Sequence, residues 1–530
     1  MPKENKQSFV GGVATLTIAV IVVKIIGALY KLPLGNIIGT EGMTHFNAAY
    51  KIYSFLMSLS TAGLPLALSK LVSESQTLGR HNQSRKLLRV ALTLFAVIGT
   101  AGTALMLFWT DGLAAIMHNS LAYWPIKALS LSVVCVCIMS AFRGFTQGCE
   151  NMVPSATSQV IEAVFKLVVG LALAWYFISR GMGVEMGAAG AIMGVTVSSA
   201  LAMVYMIVNH LRSRRHTPAS QDVPQSSSAL LKRILAIGIP ITLGASGMSL
   251  ITLVDQSLIM GRLQSVLGLS ETAAAALNGE YEFGMVLFNL PSSFIPPVTM
   301  CLIPFVSAAI ARKDYDQTAK LVGTSLRLTT LVALPAGVGL SVLAQPILLL
   351  LYPGQREGAL AATYHLEILG IASVFVCLML LTNGILQAHD KAKVPVVTML
   401  VGGVVKVVCN YILVGNPEIN IKGAPIGTLL CYVLIAGLNM LVVHKTLVKR
   451  PSYRQVFIKP IIATAGMAVA AKGSFLLLAP RFGSSLGVLM AICAAVVVYA
   501  VLVLALRVIT REDLEMIPHG QKLAKLLRIR

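Results

Sequence analysis

Long apolar segments alternate with short polar ones along almost the whole chain. Most of the apolar segments reach about 20 residues, the length at which a helix crosses the ~30 Å hydrocarbon core of a bilayer. The pattern therefore predicts an all-α polytopic membrane protein. We predict fourteen transmembrane helices, at residues 9–38, 46–70, 87–110, 121–147, 155–179, 186–211, 231–261, 279–311, 320–351, 363–388, 394–415, 424–447, 455–478 and 484–507.

Lysine and arginine are unevenly distributed among the predicted loops. They are abundant after the second, sixth, eighth, tenth and twelfth segments, whereas residues 111–120 contain none. Cytoplasmic loops carry this excess of positive charge. Both termini are therefore predicted to be cytoplasmic, as an even number of crossings also requires. We expect residues 111–120 and 356–358 outside the cell and residues 214–228 inside it.

The composition supports a membrane carrier. Of the 530 residues 56% are hydrophobic and 12% are charged, about half the charged fraction of a soluble domain. The net charge is +21, but clustering of that charge at membrane edges indicates topology and contact with anionic lipid more than nucleic-acid binding. The eight cysteines have no metal or redox spacing, and there is no Walker A motif or nucleophile–base pattern. The protein is therefore predicted not to be an enzyme.

Two segments of the chain are similar in sequence. Residues 143–166 and 383–406 share a Gly, a Gln and a Lys at the same spacing, and each has a Pro near the middle. A second pair, at residues 71–73 and 305–307, has nearly the same separation. Duplication explains two matches in the same order better than coincidence between Gly- and Val-rich helices does.

A polar, Pro/Ser-rich linker at residues 217–228 separates the two halves. We predict a first lobe at 1–211, a linker at 212–230, a second lobe at 231–450, two further helices at 451–510 and a basic cytoplasmic tail at 511–530. The tail either lies on the inner leaflet or is solvated. Because both halves begin in the cytoplasm, the six-helix lobes are parallel repeats, an arrangement typical of transporters with a site near the midplane.

Several charges fall inside the predicted spans, where each costs at least ~2.5–3.5 kcal/mol unless it faces water or a partner. Lys24 and Lys31 are two helical turns apart and so share one face of the first helix. Gly27 and Ala28 leave room beside them, and the same span contains no acid. This pattern predicts a cationic cavity.

The remaining intramembrane charges allow more than one interpretation. Lys51 either joins the cationic cavity or extends to the interface. Glu162 and Lys166 are one turn apart, which predicts a self-neutralising pair. Asp255 is a candidate proton or sodium site, or a partner for a cavity cation. The candidates for coupling or gating are Asp255, Glu282, Lys166 and Lys406.

At these residues the chain resembles a known family. The segments that carry the resemblance are residues 24–27, 60–65, 69–74, 143–148, Pro154 and 159–162. They are similar to the polysaccharide-transporter branch of the MOP flippase superfamily, which includes SpoVB/YtgP-like proteins and, more distantly, MurJ-type lipid II flippases. The resemblance covers essentially the whole chain.

The resemblance implies a V-shaped MOP/MATE-like pair of lobes around a cationic cavity for a pyrophosphate-linked sugar. It implies a lipid-tail groove at the last two helices. Lys24 falls where the family carries an Arg in the first helix, Lys51 matches a basic position in the second, and Lys31 is one position from another Arg. The Arg that lipid II flippases carry in the eighth span is absent, and Glu280 and Glu282 are there instead.

We therefore interpret the protein as a flippase for an undecaprenyl-pyrophosphate-linked saccharide in the bacterial cytoplasmic membrane, in vegetative or sporulating cells. It would work by alternating access without a cofactor, with Na⁺, H⁺ or the membrane potential as the coupling source. The expected partners are the lipid-linked saccharide, membrane lipids and cell-wall synthesis proteins. One alternative is a MATE-type cation-coupled multidrug exporter, which Asp255 and Glu282 would suit. Another is a scaffold that recruits wall-synthesis enzymes, but a scaffold does not need buried charges.

Overall fold

The structure, a computed structural model, describes residues 9–61, 63–214 and 221–508. Within these ranges the chain is almost entirely helical and contains no β-strand. The predicted basic tail and residues 215–220 of the predicted linker lie outside the described residues. The all-α fold predicted from the hydrophobic pattern is confirmed.

Seventeen α-helices follow one another in the described residues. They are α1 (Phe9–Thr61), α2 (Leu64–Thr77), α3 (His81–Phe108), α4 (Thr110–Ile116), α5 (Tyr123–Gly148), α6 (Val153–Ser179), α7 (Val184–Arg214), α8 (Ser227–Ser265), α9 (Glu271–Ser292), α10 (Ile295–Ala311), α11 (Tyr315–Val342), α12 (Ala344–Leu351), α13 (Arg356–Ala388), α14 (Lys393–Val414), α15 (Gly423–Thr446), α16 (Lys459–Phe482) and α17 (Ser484–Ala505). Short 3₁₀ turns precede α5 and α15, and a π-helical turn precedes α16.

Eleven helical runs in the described residues are long and apolar enough to cross a membrane. They correspond to predicted spans one and two joined together, spans three to six, and spans nine to fourteen. Spans seven and eight correspond to α8 and to α9 with α10. The count of fourteen crossings and the cytoplasmic position of both termini stay predictions.

The chain divides into two compact units, Met1–Gly279 and Glu280–Arg530. The first unit includes α8 because α8 packs closely on α2. A Cβ atom at Gly63 would lie 2.2 Å from the carbonyl oxygen of Gly238 on α8, so only glycine permits this crossing. The division into six-helix lobes at residues 212–230 stays a prediction.

The first two predicted spans are not separated by a loop. The α1 run continues from Phe9 to Thr61, and its axis changes direction at Gly39, whose φ of 68° and ψ of −173° are not helical. Glycine adopts this left-handed φ without steric cost. The boundary between the two predicted spans, residues 39–45, therefore begins with a bend at Gly39 inside a continuous helical run.

Three predicted spans are instead interrupted. Span two breaks between α1 and α2, span eight between α9 and α10, and span nine between α11 and α12. Proline follows the first two breaks directly, at Pro65 and Pro296, where the first helical N–H groups need no intrahelical partner.

The two similar sequence segments fold in the same way. After α5 and after α13 the chain reverses through an acidic residue in the left-handed region, Glu150 at φ 59° and Asp390 at φ 57°. The ends of α2 and α10 match likewise, with Gly79 at φ 68° and Lys313 at φ 57°. Equivalent hydrogen bonds close each pair of helix ends. The structure thus supports the internal duplication inferred from sequence.

Candidate functional site: a polar strip and a cavity in the first unit

Two of the three predicted cavity lysines lie on one polar strip, formed by Lys31, Asn47 and Lys51 on α1 and Gln256 on α8. The Lys31 ammonium donates a 3.5 Å hydrogen bond to Asn47 Oδ1. The Lys51 ammonium donates a short hydrogen bond to Gln256 Oε1. Asn47 and Lys51 are one helical turn apart and so share a face of α1. The bend at Gly39 therefore lets one helical run present lysines from both predicted spans.

The amide groups of the polar strip retain unused donors. Asn47 and Gln256 are 3% and 1% exposed. Their side-chain nitrogens, Nδ2 and Nε2, donate to no described residue although both atoms are buried. A buried donor without an acceptor is costly. The strip thus combines two ammonium groups with two amide donors, which is the composition of a site for an anion.

Asp255 is buried directly beside the polar strip. It precedes Gln256 on α8 and is 4% exposed. Ionised groups at this depth in a membrane face a partner or water. The position is compatible with the predicted coupling or gating role, which stays a prediction.

Lys24 lies apart from these contacts. It is exposed on α1, two turns before Lys31. No hydrogen bond or ion pair links its ammonium group to another described residue, so the structure contains no Lys24–Asp255 pair. Its predicted role in binding substrate remains a prediction.

Lys166 lies against the aromatic side of α1. Its ammonium group is 5.4 Å from the centroid of Tyr30 and 6.0 Å from that of Tyr50. Both rings present their electron-rich π-systems to the cation, which offsets part of the cost of burying it. The Tyr30 hydroxyl donates to the carbonyl oxygen of Ala191 on α7 at 3.0 Å and so fixes its ring in place.

The predicted self-neutralising pair of Glu162 and Lys166 was wrong. Glu162 pairs instead with Arg143 of α5, whose Nη2 lies 3.1 Å from Glu162 Oε2. Arg143 Nε also donates to Ser158 Oγ at 2.8 Å. The planar guanidinium, with several donors, can satisfy both groups on α6 at once. Lys166, one turn further along α6, contacts the rings of Tyr30 and Tyr50 instead.

Next to this ion pair is a cavity of about 510 Å³, here called the Tyr50 cavity. It lies between α1, α2, α5 and α6, and its lining combines aromatic, hydroxyl, amide and charged groups. The lining residues are Tyr50, Tyr53, Ser54, Met57, Thr61, Pro65, Leu66, Val136, Ser140, Arg143, Gln147 and Glu162. Neither the cavity nor the contribution of Arg143 was predicted, although Arg143 opens the first of the two similar segments.

The two remaining predicted residues belong to the second unit. Glu282 on α9 is 4% exposed. Lys406 on α14 is half-buried, one turn before the fully buried Asn410. Their roles in coupling or gating stay predictions. In the described parts of the chain, no group of three or more His, Cys, Asp and Glu side chains could hold a metal ion.

Comparison with known proteins identifies the family. The model of the family described as polysaccharide biosynthesis protein matches residues 9–310, more than half of the chain, and the MatE model matches residues 240–412. Stage V sporulation protein B of Bacillus subtilis (strain 168) is 25% identical over 525 residues, which cover 97% of this chain and 98% of that protein.

Two further comparisons involve lipid II flippases. The lipid II flippase MurJ of Bacillus subtilis (strain 168) is 25% identical over 486 residues, or 86% of this chain and 87% of that protein. The solved inward closed structure of a lipid II flippase MurJ matches with a TM-score of 0.71 and 15% identity, over 92% of this chain and 97% of that one. The resemblance inferred from the sequence motifs is thereby confirmed. The chain belongs to the polysaccharide biosynthesis protein family and is a multi-pass membrane protein with the fold of the MOP superfamily.

Proposed function

We propose that this protein is a flippase that moves an undecaprenyl-pyrophosphate-linked saccharide, lipid II or a related cell-wall precursor, across the cytoplasmic membrane by alternating access. The lipid tail would stay in the bilayer while the head group crosses through the protein. Membrane lipids and cell-wall synthesis proteins are its expected partners.

The observation that carries the proposal is the polar strip. Lys31 and Lys51 supply two positive charges, and the unused amide donors of Asn47 and Gln256 lie beside them. A pyrophosphate brings negative charge and several acceptor oxygens, which match both kinds of group. In a medium of low dielectric constant each cation attracts an anion far more strongly than it does in water. Lys24, two turns away on α1, extends the same cationic face.

Contacts at both ends of the first unit support alternating access. Near the predicted outer side, the Glu271 carboxylate of α9 accepts hydrogen bonds from Ser120 Oγ at 2.8 Å and from the Leu121 N–H at 3.0 Å. Near the predicted inner side, Arg233 of α8 pairs with Glu74 of α2 at 3.0 Å. Both sets of groups are partly exposed and can exchange partners with water at small cost. The Glu271 contact and the Arg233–Glu74 pair are therefore suited to break in turn, each when its own side of the protein opens.

A MATE-type exporter of cationic drugs is the second candidate. The MatE model matches residues 240–412, and buried Asp255 and Glu282 would suit a cationic cargo. The excess of lysine in the first unit favours an anion instead. The two candidates predict opposite charge dependence, since loss of Lys51 should abolish flipping of an anionic lipid but should not abolish drug export.

The test uses purified protein in liposomes and cells depleted of their lipid II flippase. Lys51→Ala should reduce flipping of fluorescent lipid II by tens- to thousands-fold, because removal of a cation from a desolvated contact costs about 2–5 kcal/mol. Lys127→Ala is the matched control, since Lys127 is an exposed lysine outside the polar strip whose contacts among the described residues are with the neighbouring Tyr123 and Trp124. Wild-type protein that neither flips lipid II nor rescues the cells, despite normal membrane abundance, would exclude lipid II as cargo. Full activity of Lys51→Ala would exclude the polar strip as the pyrophosphate site.

A further inference from the structure

We infer that the Tyr50 cavity binds the saccharide part of the cargo, in particular the sugar attached directly to the pyrophosphate. The inference rests on the proposed function and adds a subsite to it. It assigns the pyrophosphate to the polar strip and an uncharged, hydroxyl-rich ring to the cavity.

The charges of the cavity indicate a neutral ligand. Arg143 and Glu162 are the charged residues of its lining, and they neutralise each other at 3.1 Å. The cavity therefore attracts neither a phosphate nor a cationic drug. The ion pair still presents N–H donors and carboxylate acceptors side by side. Sugar hydroxyls both donate and accept, and so can bond to either member of the pair.

Unused polar groups line the cavity walls. The hydroxyls of Tyr50, Ser54 and Ser140 form no hydrogen bond with another described residue. Ser140 is only 6% exposed. Gln147 donates a long 3.4 Å bond through Nε2, and its Oε1 accepts none from the described residues. A buried polar group such as the Ser140 hydroxyl needs a polar ligand or water.

The apolar groups of the lining match the C–H faces of a sugar ring. The ring centroids of Tyr50 and Tyr53 are 5.7 Å apart and the ring planes are inclined by 51°. Two aromatic faces that are tilted relative to each other therefore border the cavity. A pyranose has C–H faces that pack on such rings while its hydroxyls point sideways. The volume of about 510 Å³ lies in the range of about 300–1,000 Å³ that is usual for small-molecule sites.

Tyr50 connects the cavity to the cations. Its ring lies 6.0 Å from the Lys166 ammonium group and also lines the cavity. Lys51, the next residue, belongs to the polar strip. In a lipid-linked precursor the first sugar is bonded to the pyrophosphate, so the two parts of the head group must bind at neighbouring positions. Along α1 the cationic polar strip is followed by the neutral Tyr50 cavity, which is the order of pyrophosphate and sugar in the precursor.

The test compares a lipid that carries the saccharide–peptide head group with the same lipid pyrophosphate without it. Binding of lipid II and of undecaprenyl pyrophosphate to full-length protein in nanodiscs is measured by native mass spectrometry. The variants are Ser54→Ala/Ser140→Ala and Gln147→Leu, which remove hydrogen-bonding groups but keep or nearly keep the side-chain volume. Ser179→Ala is the control, because it removes an exposed hydroxyl from the end of α6.

Both cavity variants should bind lipid II about tenfold more weakly, as expected for the loss of two hydrogen bonds between neutral groups. Their affinity for undecaprenyl pyrophosphate should stay within about twofold of wild type. Equal losses for both lipids, or no loss for lipid II in variants that unfold at the wild-type temperature, would overturn the inference. Failure of the wild-type protein to bind either lipid would instead contradict the proposed function, so the two failures are distinguishable.

Discussion

The carboxylate of Asp222 in the linker should hold the start of α3, and its removal should loosen that helix end specifically. Asp222 Oδ1 accepts a hydrogen bond from the Asn82 N–H and Oδ2 accepts one from the Gln83 N–H, each at 2.9 Å. These amides belong to the first turn of α3 and have no partner inside the helix. The residue at the N-cap position, Arg80, has a side chain that makes no capping bond.

The expected magnitude follows from the capping geometry. Loss of an N-terminal cap costs about 0.5–2 kcal/mol, and loss of the negative charge at the positive end of the helix dipole adds about 0.3–1 kcal/mol. We expect Asp222→Ala to weaken the helix end by about 1–2 kcal/mol, which corresponds to a factor of about 5–30. Hydrogen–deuterium exchange at Asn82 and Gln83 should accelerate by that factor in the full-length protein.

The second unit suggests the control. The N-cap residue of α11 is Asp314, whose Oδ1 accepts from the Gln317 N–H at 2.9 Å. Arg80→Asp in the Asp222→Ala background should therefore provide a local cap and restore protection of the α3 amides. Unchanged exchange in Asp222→Ala, or no recovery in the double variant, would refute the assignment of Asp222 as the cap.

Three further predictions concern single side chains. Lys24→Ala should abolish flipping without lowering membrane abundance, while Lys24→Arg should retain part of it because the charge survives; normal transport by Lys24→Ala would remove Lys24 from the site. Arg143→Ala should lower thermal stability more than Arg143→Ala/Glu162→Ala does, since the single change leaves a half-buried carboxylate unpaired; equal melting temperatures would contradict this. Burial raises the pKa of the Cys149 thiol to about 11, so alkylation of Cys149 should be slow at pH 7 and rise about tenfold per pH unit up to that pKa; a rate independent of pH between 7 and 9 would be inconsistent.

The helices and the duplication could be predicted from the sequence because they depend on local rules. Apolar segments of membrane length must form helices, since the bilayer core offers no partner for backbone groups. The turns after α5 and α13 form from the same short pattern in both copies, and their left-handed residues Glu150 and Asp390 occupy equivalent positions. A pattern that recurs in the same order therefore indicated a common local fold.

The features that could not be predicted depend on contacts between helices distant in sequence. The i,i+4 spacing of Glu162 and Lys166 indicated an ion pair. In the structure Glu162 pairs with Arg143 of another helix, and the Lys166 ammonium group lies against two tyrosine rings of α1. Here the local i,i+4 preference was overridden by tertiary packing.

The two copies also differ in a way that bears on the saccharide site. In the alignment of residues 143–166 with 383–406, Arg143 corresponds to Asn383 and Glu162 to Gly402. The second copy thus cannot form the ion pair. Asn383 Oδ1 instead accepts from Asn439 Nδ2 at 2.7 Å, and a Cβ at Gly402 would lie 2.3 Å from Ile435 Cγ1, so that position is closely packed.

Duplicated halves that kept identical functions would need equivalent polar groups at equivalent positions. Here the shared part is the helix–turn–helix scaffold, while the charges at the cavity occur in one copy only. A lipid-linked saccharide has a single head group, so one polar cavity is enough to receive it. The second copy can then use the same positions for close packing, which stabilises a helix pair without exposing polar groups to lipid. The asymmetry between the copies is therefore what a single saccharide subsite in the first unit would require.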